Sequence, residues 1–388
     1  MTLTEILANE ELRQHEFPVA KNKIFLGHAG VCPLPRRVAQ AMIDCATGGT
    51  LGDQETFVMQ QLTAARRAGA QLLNSQPDEI SLVGPTSLAL SFVAAGLNFR
   101  KGDNILIYHD DYPSNVYPWM ALAEKGVKVR LMNIRHLGAI RKVDIMGQVD
   151  EDTKLVALAS NHFISGHRLE HDAIGQFLRE RNILFCLDAI QTLGAFPTTV
   201  ENVDFLAADS HKWLLGPLAA GIVYVAKERF EECRPTLLGS WNIKSPDFLA
   251  QKTIEFEEGG RRYEPGVLNV AGIYGMRASI NLIREQGIDS VSSLILQRRD
   301  QLETGLASLG FDFLSPRSSE PLRSGILTTR HPGKDPSKLI ADLEKAFISA
   351  SYRKTRDHGF WLRFSPHFYN TSAEIDRVLD VLSEAVKS

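Results

Sequence analysis

The stretch Ile183-Leu184-Phe185-Cys186-Leu187-Asp188-Ala189-Ile190-Gln191, read with Ala207-Ala208-Asp209-Ser210-His211-Lys212-Trp213-Leu214-Leu215-Gly216-Pro217, decides the fold. An apolar run of strand length, Ile183 to Leu187, ends on an acid. A second run, Phe205 to Ala208, ends in a turn that carries a lysine and closes on Gly and Pro. Continuous apolar runs bounded in this way are the mark of strands buried on both faces. Working outward, Ile80 to Val83, Asn104 to Tyr108, Val127 to Met132, Leu155 to Ala159 and Gly221 to Val225 read the same way. Helical segments lie between them at Ser87 to Leu97, Tyr117 to Glu124 and His171 to Arg181. Strands joined by helical crossovers predict an α/β fold with a mostly parallel seven-stranded sheet and function at the strand carboxyl ends.

After about Gly275 the pattern changes to long helices, Met276 to Glu285 and Val291 to Leu309, then short strands and a last helix over Ser372 to Val386. That predicts a smaller α+β C-terminal domain. The expected division is residues 1–20 as a segment docking on the small domain, 21–270 as the large domain and 271–388 as the small one, with a hinge near Pro265 to Gly275, where Pro, Gly and Asn cluster. Of the 388 residues, 44% are hydrophobic and 23% charged, and 43 Lys and Arg stand against 46 Asp and Glu for a net charge of -3. No field of one sign invites nucleic acid or an anionic membrane, so a small molecule is the expected partner. No apolar run approaches the roughly 20 residues of a membrane span, and the polar, acidic N-terminus lacks an apolar leader core. Four cysteines, Cys32, Cys45, Cys186 and Cys233, form no C-x-x-C pair, which argues against a zinc site and against a disulfide framework. The expected home is the reducing cytosol, with no metal bound.

Several residues carry potential chemistry. Lys212, at a strand end, can form an imine once burial and neighbouring cations lower its pKa; alone, a His-Lys pair reads as a solvated loop lysine. Asp188 is costly at a strand end unless paired; a pyridinium nitrogen would hold it ionised, and a turn cap would do so equally. Gln191 could bond a cofactor ring oxygen or simply start a helix. Pro85-Thr86-Ser87 opens an apolar helix and could bind a phosphate there, or supply an ordinary N-cap. Arg363, inside the apolar strand Trp361 to Phe364, needs an anion, whether a substrate carboxylate or an internal acid.

Taken in order, six segments resemble the class V aminotransferase family of fold-type I pyridoxal-phosphate enzymes, which includes cysteine desulfurases, selenocysteine lyases and isopenicillin N epimerase-like proteins. They are Phe25-Leu26-Gly27-His28-Ala29-Gly30, Tyr112-Pro113-Ser114-Asn115, Pro118-Trp119, Leu187-Asp188-Ala189-Ile190-Gln191, Ser210-His211-Lys212-Trp213, and Arg363 with Tyr369-Asn370-Thr371. The resemblance implies pyridoxal 5'-phosphate as cofactor and a small amino acid as substrate. It makes Lys212 the imine lysine and proton shuttle, Asp188 the partner of the ring nitrogen and Gln191 that of the ring oxygen. Thr86, Ser87, His211 and Ser210 become phosphate ligands, Tyr112 the stacking ring, Arg363 the carboxylate anchor, and His28, His162 and Asn269 pocket residues. It also implies a homodimer in which Glu264 to Asn269 approaches the partner's phosphate, although Val267 stands where relatives often carry a hydroxyl.

Desulfurases of this family use a cysteine shortly before the carboxylate arginine, and Ser351 to Trp361 contains none. Desulfuration through an enzyme persulfide is therefore not expected. Transamination is the first expectation, carbon-sulfur or carbon-selenium elimination the second, epimerisation the third, and a catalytically silent binding protein a remote fourth. A nucleotide-binding α/β protein would need a Gly-rich phosphate turn, and none follows an early strand.

Overall fold

The computed structural model describes residues 3–55, 58–315, 322–357 and 359–387. The strands, in chain order, are β1 (Ile24–Phe25), β2 (Ile80–Ser81), β3 (Asn104–Ile107), β4 (Lys128–Leu131), β5 (Thr153–Ala159), β6 (Leu184–Asp188), β7 (Phe205–Asp209), β8 (Gly221–Val225), β9 (Asp312–Phe313), β10 (Leu327–Arg330), β11 (Ile348–Ser349), β12 (Ser351–Lys354) and β13 (Phe360–Phe364). The large sheet has seven strands in the order β2-β8-β7-β6-β5-β3-β4. β7, β6, β5, β3 and β4 run parallel, whereas β8 is antiparallel to both β7 and β2. The seven runs marked by the sequence are these seven strands. The first is shorter than expected because Leu82 turns its N–H out of the ladder to Glu264 Oε1, 2.8 Å away.

Apolar side chains cover both faces of this sheet. Leu106, Val156, Phe185, Leu187 and Ile222 lie in one core, while Ile105, Leu155, Cys186, Phe205 and Val223 lie in another. This is the two-sided burial that unbroken apolar strands require. Helices Arg36–Gly48 and Val58–Leu73 pack on the long helix Val270–Gln286. That helix begins inside the segment expected to be a hinge: Asn269 caps it by accepting from Gly272 N at 3.0 Å, so only the residues before Val270 are irregular.

The second sheet, β12-β13-β10-β9, is antiparallel throughout. Leu327, Leu362 and Phe364 pack there on Leu302, Leu343, Ile375 and Leu382 from the helices that cover it. β1 pairs in parallel with β11, and Gly27 bridges to Ser365, so the chain just after residue 20 lies against C-terminal strands. The N-terminal helices are fastened nearby: Phe17 stacks on Tyr369 at 4.1 Å, and Arg13 donates to Glu374 at 2.9 Å and to the Tyr369 carbonyl at 3.2 Å.

Candidate active site

Where the parallel strands of the large sheet end, a cavity of about 370 Å3 opens toward the second sheet. Asp188 is the last residue of β6, and Lys212 lies three residues past the end of β7; both line this cavity. The chain around the lysine is tied on every side. Asp209 N donates to Thr86 Oγ1 at 2.9 Å, Ser210 N to the Ala220 carbonyl at 2.9 Å, and Cys32 N to the His211 carbonyl at 2.8 Å. The turn closes through Gly216 N to the Ser210 carbonyl at 2.8 Å. A Cβ on Gly216 would sit 2.4 Å from Ser210 Oγ, so only glycine fits that crossing.

Lys212 is 7% exposed and forms no ion pair among the described residues. Its ammonium faces the Tyr112 ring, with Nζ 5.2 Å from the centroid. Burial is the main cause that pushes its pKa down to about 8; Asp188 pulls it upward, and the Arg363 and Arg353 charges push it down again. Asp188 is 2% exposed and accepts from Ile190 N at 3.1 Å. Burial raises its pKa, against that hydrogen bond and the nearby lysine charge. The result is a lysine that gives up its proton more readily than usual and a carboxylate in want of a cation, facing one space.

Thr86 and Ser87 open the helix Thr86–Gly96 on one wall. Its N-cap is Pro85, and no side chain caps it, so the first-turn amides are not occupied by a cap. Thr86 Oγ1 accepts from Asp209 N and keeps its own proton to donate. His211 lines the same wall, with Nδ1 3.2 Å from the buried Asp209 carboxylate. Gln191 donates to the Ala29 carbonyl at 3.1 Å and accepts from Trp213 Nε1 at 2.8 Å, which leaves one amide proton for a ligand. A phosphorylated aldehyde finds a lysine, a carboxylate and hydroxyl and amide donors in this set.

The opposite wall comes from the second sheet. Along β13, Leu362 and Phe364 point into the C-terminal core, and Arg363 between them points the other way, into the cavity. Arg363 is 1% exposed; Nη1 donates to the Phe163 carbonyl at 2.5 Å, while Nε and Nη2 have no partner. Burial lowers its pKa to about 9, with help from a second cation in the same cavity, Arg353 on β12.

Lys212, Asp188, Gln191, Thr86, Ser87, His211, Tyr112 and Arg363 thus share one cavity. Ser210, His28, His162 and Asn269 do not line it. Ser210 Oγ is committed to the Pro217 carbonyl at 2.9 Å. His28 is fully buried, held by the Ser365 carbonyl at 2.9 Å and Tyr369 Oη at 2.8 Å, and burial keeps it neutral. His162 is held by Ser165 Oγ and the Asp110 carbonyl, both at 3.0 Å, with a pKa pushed down to about 4 by burial. Asn269 caps its helix and faces an outer groove instead.

The structure adds residues that sequence reading passed over. Phe163, next to His162, supplies both the carbonyl for Arg363 and a ring edge-on to Tyr112 at 5.3 Å. Asp111 accepts from Tyr112 N and from Asn115 Nδ2, and Asn115 accepts from Trp119 Nε1, a chain of bonds that holds the Tyr112 turn. Burial, and then the nearness of Asp188, raises the Asp111 pKa to about 7. The Tyr112-Pro113-Ser114-Asn115 motif was visible in sequence, and the acid just before it was the available signal. None of the four cysteines lines the cavity; Cys32, next in sequence to the lining residue Val31, is buried with its thiol pKa pushed up to about 12.

Such a cavity, at the carboxyl ends of a mixed seven-stranded sheet and faced by a smaller α+β unit, defines an enzyme of the fold-type I pyridoxal-phosphate class. The chain belongs to the aminotransferase class-V family, whose profile matches residues 24–378, and pyridoxal phosphate is the cofactor of that family. A probable cysteine desulfurase of Methanothermobacter thermautotrophicus is 27% identical, across 97% of this chain and 98% of that protein. The isopenicillin N epimerase of Streptomyces clavuligerus is 26% identical, across 84% of this chain and 86% of that one. In fold, the apo cysteine desulfurase of Thermococcus onnurineus superposes with a TM-score of 0.90 at 24% identity, covering 97% of this chain and 98% of the other.

Proposed function

We propose that Lys212 holds the cofactor covalently and that the enzyme moves the amino group of a small amino acid to an oxo acid. The observation that carries this reading is a buried lysine with its pKa drawn down to about 8, facing Asp188 and Arg363 across one cavity. Bound there, the cofactor supplies an electron-withdrawing ring beside the substrate α carbon. Asp188 keeps the ring nitrogen protonated, which satisfies a buried carboxylate. Thr86, Ser87 and His211 hold the phosphate at the helix start, and Tyr112 covers one face of the ring. Arg363 grips the α-carboxylate through Nε and Nη2, a planar pair of donors suited to two oxygens. The Lys212 amine, half-deprotonated near pH 8, would take the proton from the substrate α carbon and give it up on the cofactor side of the substrate nitrogen, so that the substrate leaves as the oxo acid. The substrate is thereby held at its carboxylate while a base works at its α carbon.

The test uses the cofactor-loaded protein with an amino acid and no acceptor. Amino transfer gives one equivalent of oxo acid per site and then stops, and an added oxo acid restores turnover. Continuous release of pyruvate and ammonia without an acceptor would replace this reading with a lyase, and loss of optical activity without oxo acid would replace it with an epimerase.

We further propose a homodimer in the cytosol. Leu237, Val267 and Leu268 line an outer apolar groove with Leu88 and Phe92, and Val267 is 65% exposed there. A partner covering that face would bury apolar area now in water. All four cysteines are free, and no described helix is long and apolar enough to cross a membrane. A solution mass of one chain by light scattering would overturn the dimer.

A further inference from the structure

We infer that Arg353 anchors a second acidic group, so that the amino-group donor or acceptor of this site is a dicarboxylic acid. The inference rests on the amino-transfer reading above and adds the substrate class. It begins with register. β12 and β13 are antiparallel, with Ser351 opposite Arg363 and Arg353 opposite Trp361. Residues two apart on a strand share a face, so Arg353 and Arg363 are diagonal neighbours on the face that looks into the cavity. The Nη2 atoms of both arginines lie 3.8 Å from the point that a Cβ on Gly30 would occupy, so they are no further apart than twice that distance. Two guanidinium groups therefore converge over one glycine at the cavity wall.

No carboxylate of the described residues answers them. Among the described residues neither arginine takes part in an ion pair, and the neighbouring Arg356 is matched with Asp110 instead. The buried Nε of Arg353 and the buried Nε and Nη2 of Arg363 have no hydrogen-bond partner. Asp188, the carboxylate that lines the same cavity, pairs in charge with Lys212. Arg363 is buried and Arg353 half-buried, and cations of like sign held close together with no neutralising anion are costly to the fold. A monocarboxylic amino acid would satisfy Arg363 and leave Arg353 beside it unanswered. A dicarboxylic one supplies two anions a few bonds apart and neutralises both. The same positive wall would draw such a ligand in from solution.

Arg353→Gln and Arg353→Lys, in the full-length cofactor-loaded protein, test this with aspartate, glutamate, asparagine, glutamine and alanine as donors. The unaltered enzyme is expected to favour the acidic donors over their amides by at least about 30-fold, the discrimination of a charge-assisted buried contact. Arg353→Gln should lower kcat/KM for the acidic donors by a similar factor and leave alanine within about threefold, while Arg353→Lys should keep part of the preference. Equal use of acids and amides, or an equal loss for alanine and glutamate in Arg353→Gln, would overturn the inference, the second by showing both arginines on one carboxylate. A binding arm separates this failure from failure of the amino-transfer reading. Calorimetry should show glutarate binding more tightly than butyrate, and the advantage should vanish in Arg353→Gln. If glutarate keeps its advantage while no amino acid is turned over, the amino-transfer reading has failed and the second anion site stands; if glutarate and butyrate bind alike, the site is refuted.

Discussion

Arg13 and Arg363 are both almost fully buried, and the fold treats them in opposite ways. Arg13, on the N-terminal helix, donates to Glu10, to Glu374 and to the Tyr369 carbonyl. Arg66 is likewise matched, in a buried pair with Glu264, whose other oxygen accepts from Leu82 N. Arg363 has one carbonyl and two idle nitrogens, with Arg353 rather than an acid beside it. The matched set joins segments of chain and belongs to the fold. The unmatched set, Lys212, Arg353 and Arg363, lines one cavity, which supports the ligand-binding roles proposed above. On that proposal, the presence or absence of an acidic partner separates the arginines that hold the fold from those that meet a ligand.

Four measurements can break or sharpen that contrast. The largest effect is expected at Lys212→Ala, which should lower kcat by about 10^3-fold or more by removing both the covalent tether and the base. Borohydride reduction and mass spectrometry should then find no cofactor on the peptide carrying position 212. Next, Arg66→Met leaves Glu264 buried and alone and should cost about 3 to 5 kcal/mol in urea unfolding, whereas Arg363→Met should cost nothing or add stability, though it abolishes carboxylate binding. Equal losses at the two positions would erase the distinction drawn here.

A third, smaller effect is in pH. Without cofactor, Lys212 releases its proton near pH 8 when folded and near 10.5 when unfolded. Between those values the unfolded chain binds more protons, so the unfolding free energy of the unaltered protein should climb relative to Lys212→Met as pH rises through that window, by on the order of 2 to 3 kcal/mol. Below pH 8 both states are protonated and the penalty is constant. A difference that is flat across the window would mean that the lysine is not desolvated as described. The smallest effect is expected at Asn269→Ala, which removes the cap of the Val270–Gln286 helix and should cost about 1 kcal/mol in thermal unfolding.

Much of the site was readable from order along the chain, because its main members sit where strands end or helices begin. Asp188, Lys212 and Thr86 follow directly from where apolar runs stop, and Arg363 from being the one charge inside such a run. Arg353 gave no comparable signal. It lies in Ser351-Tyr352-Arg353-Lys354, a polar edge strand, and only the β12 to β13 register brings it beside Arg363. His28 and His162 were visible as histidines, but what decides their role is non-local: the Ser365 carbonyl and Tyr369 hydroxyl claim one, and the Asp110 carbonyl claims the other. The helix start at Val270 was hidden for the same reason, since Asn269 and Gly272 look like loop residues until one is seen capping a helix that contains the other.

The hairpin between β7 and β8 has a kinetic corollary. Its ends are stitched to Thr86, Cys32 and Ala220, and it is pinched shut at Gly216, so on the proposed reading the backbone at position 212 stays in place when the group carried by Nζ is exchanged. Exchange of that group then asks for movement of the lysine side chain about its own methylene bonds and not for opening of the loop that carries it. The floor of the cavity is in this way fixed by the fold before any ligand arrives.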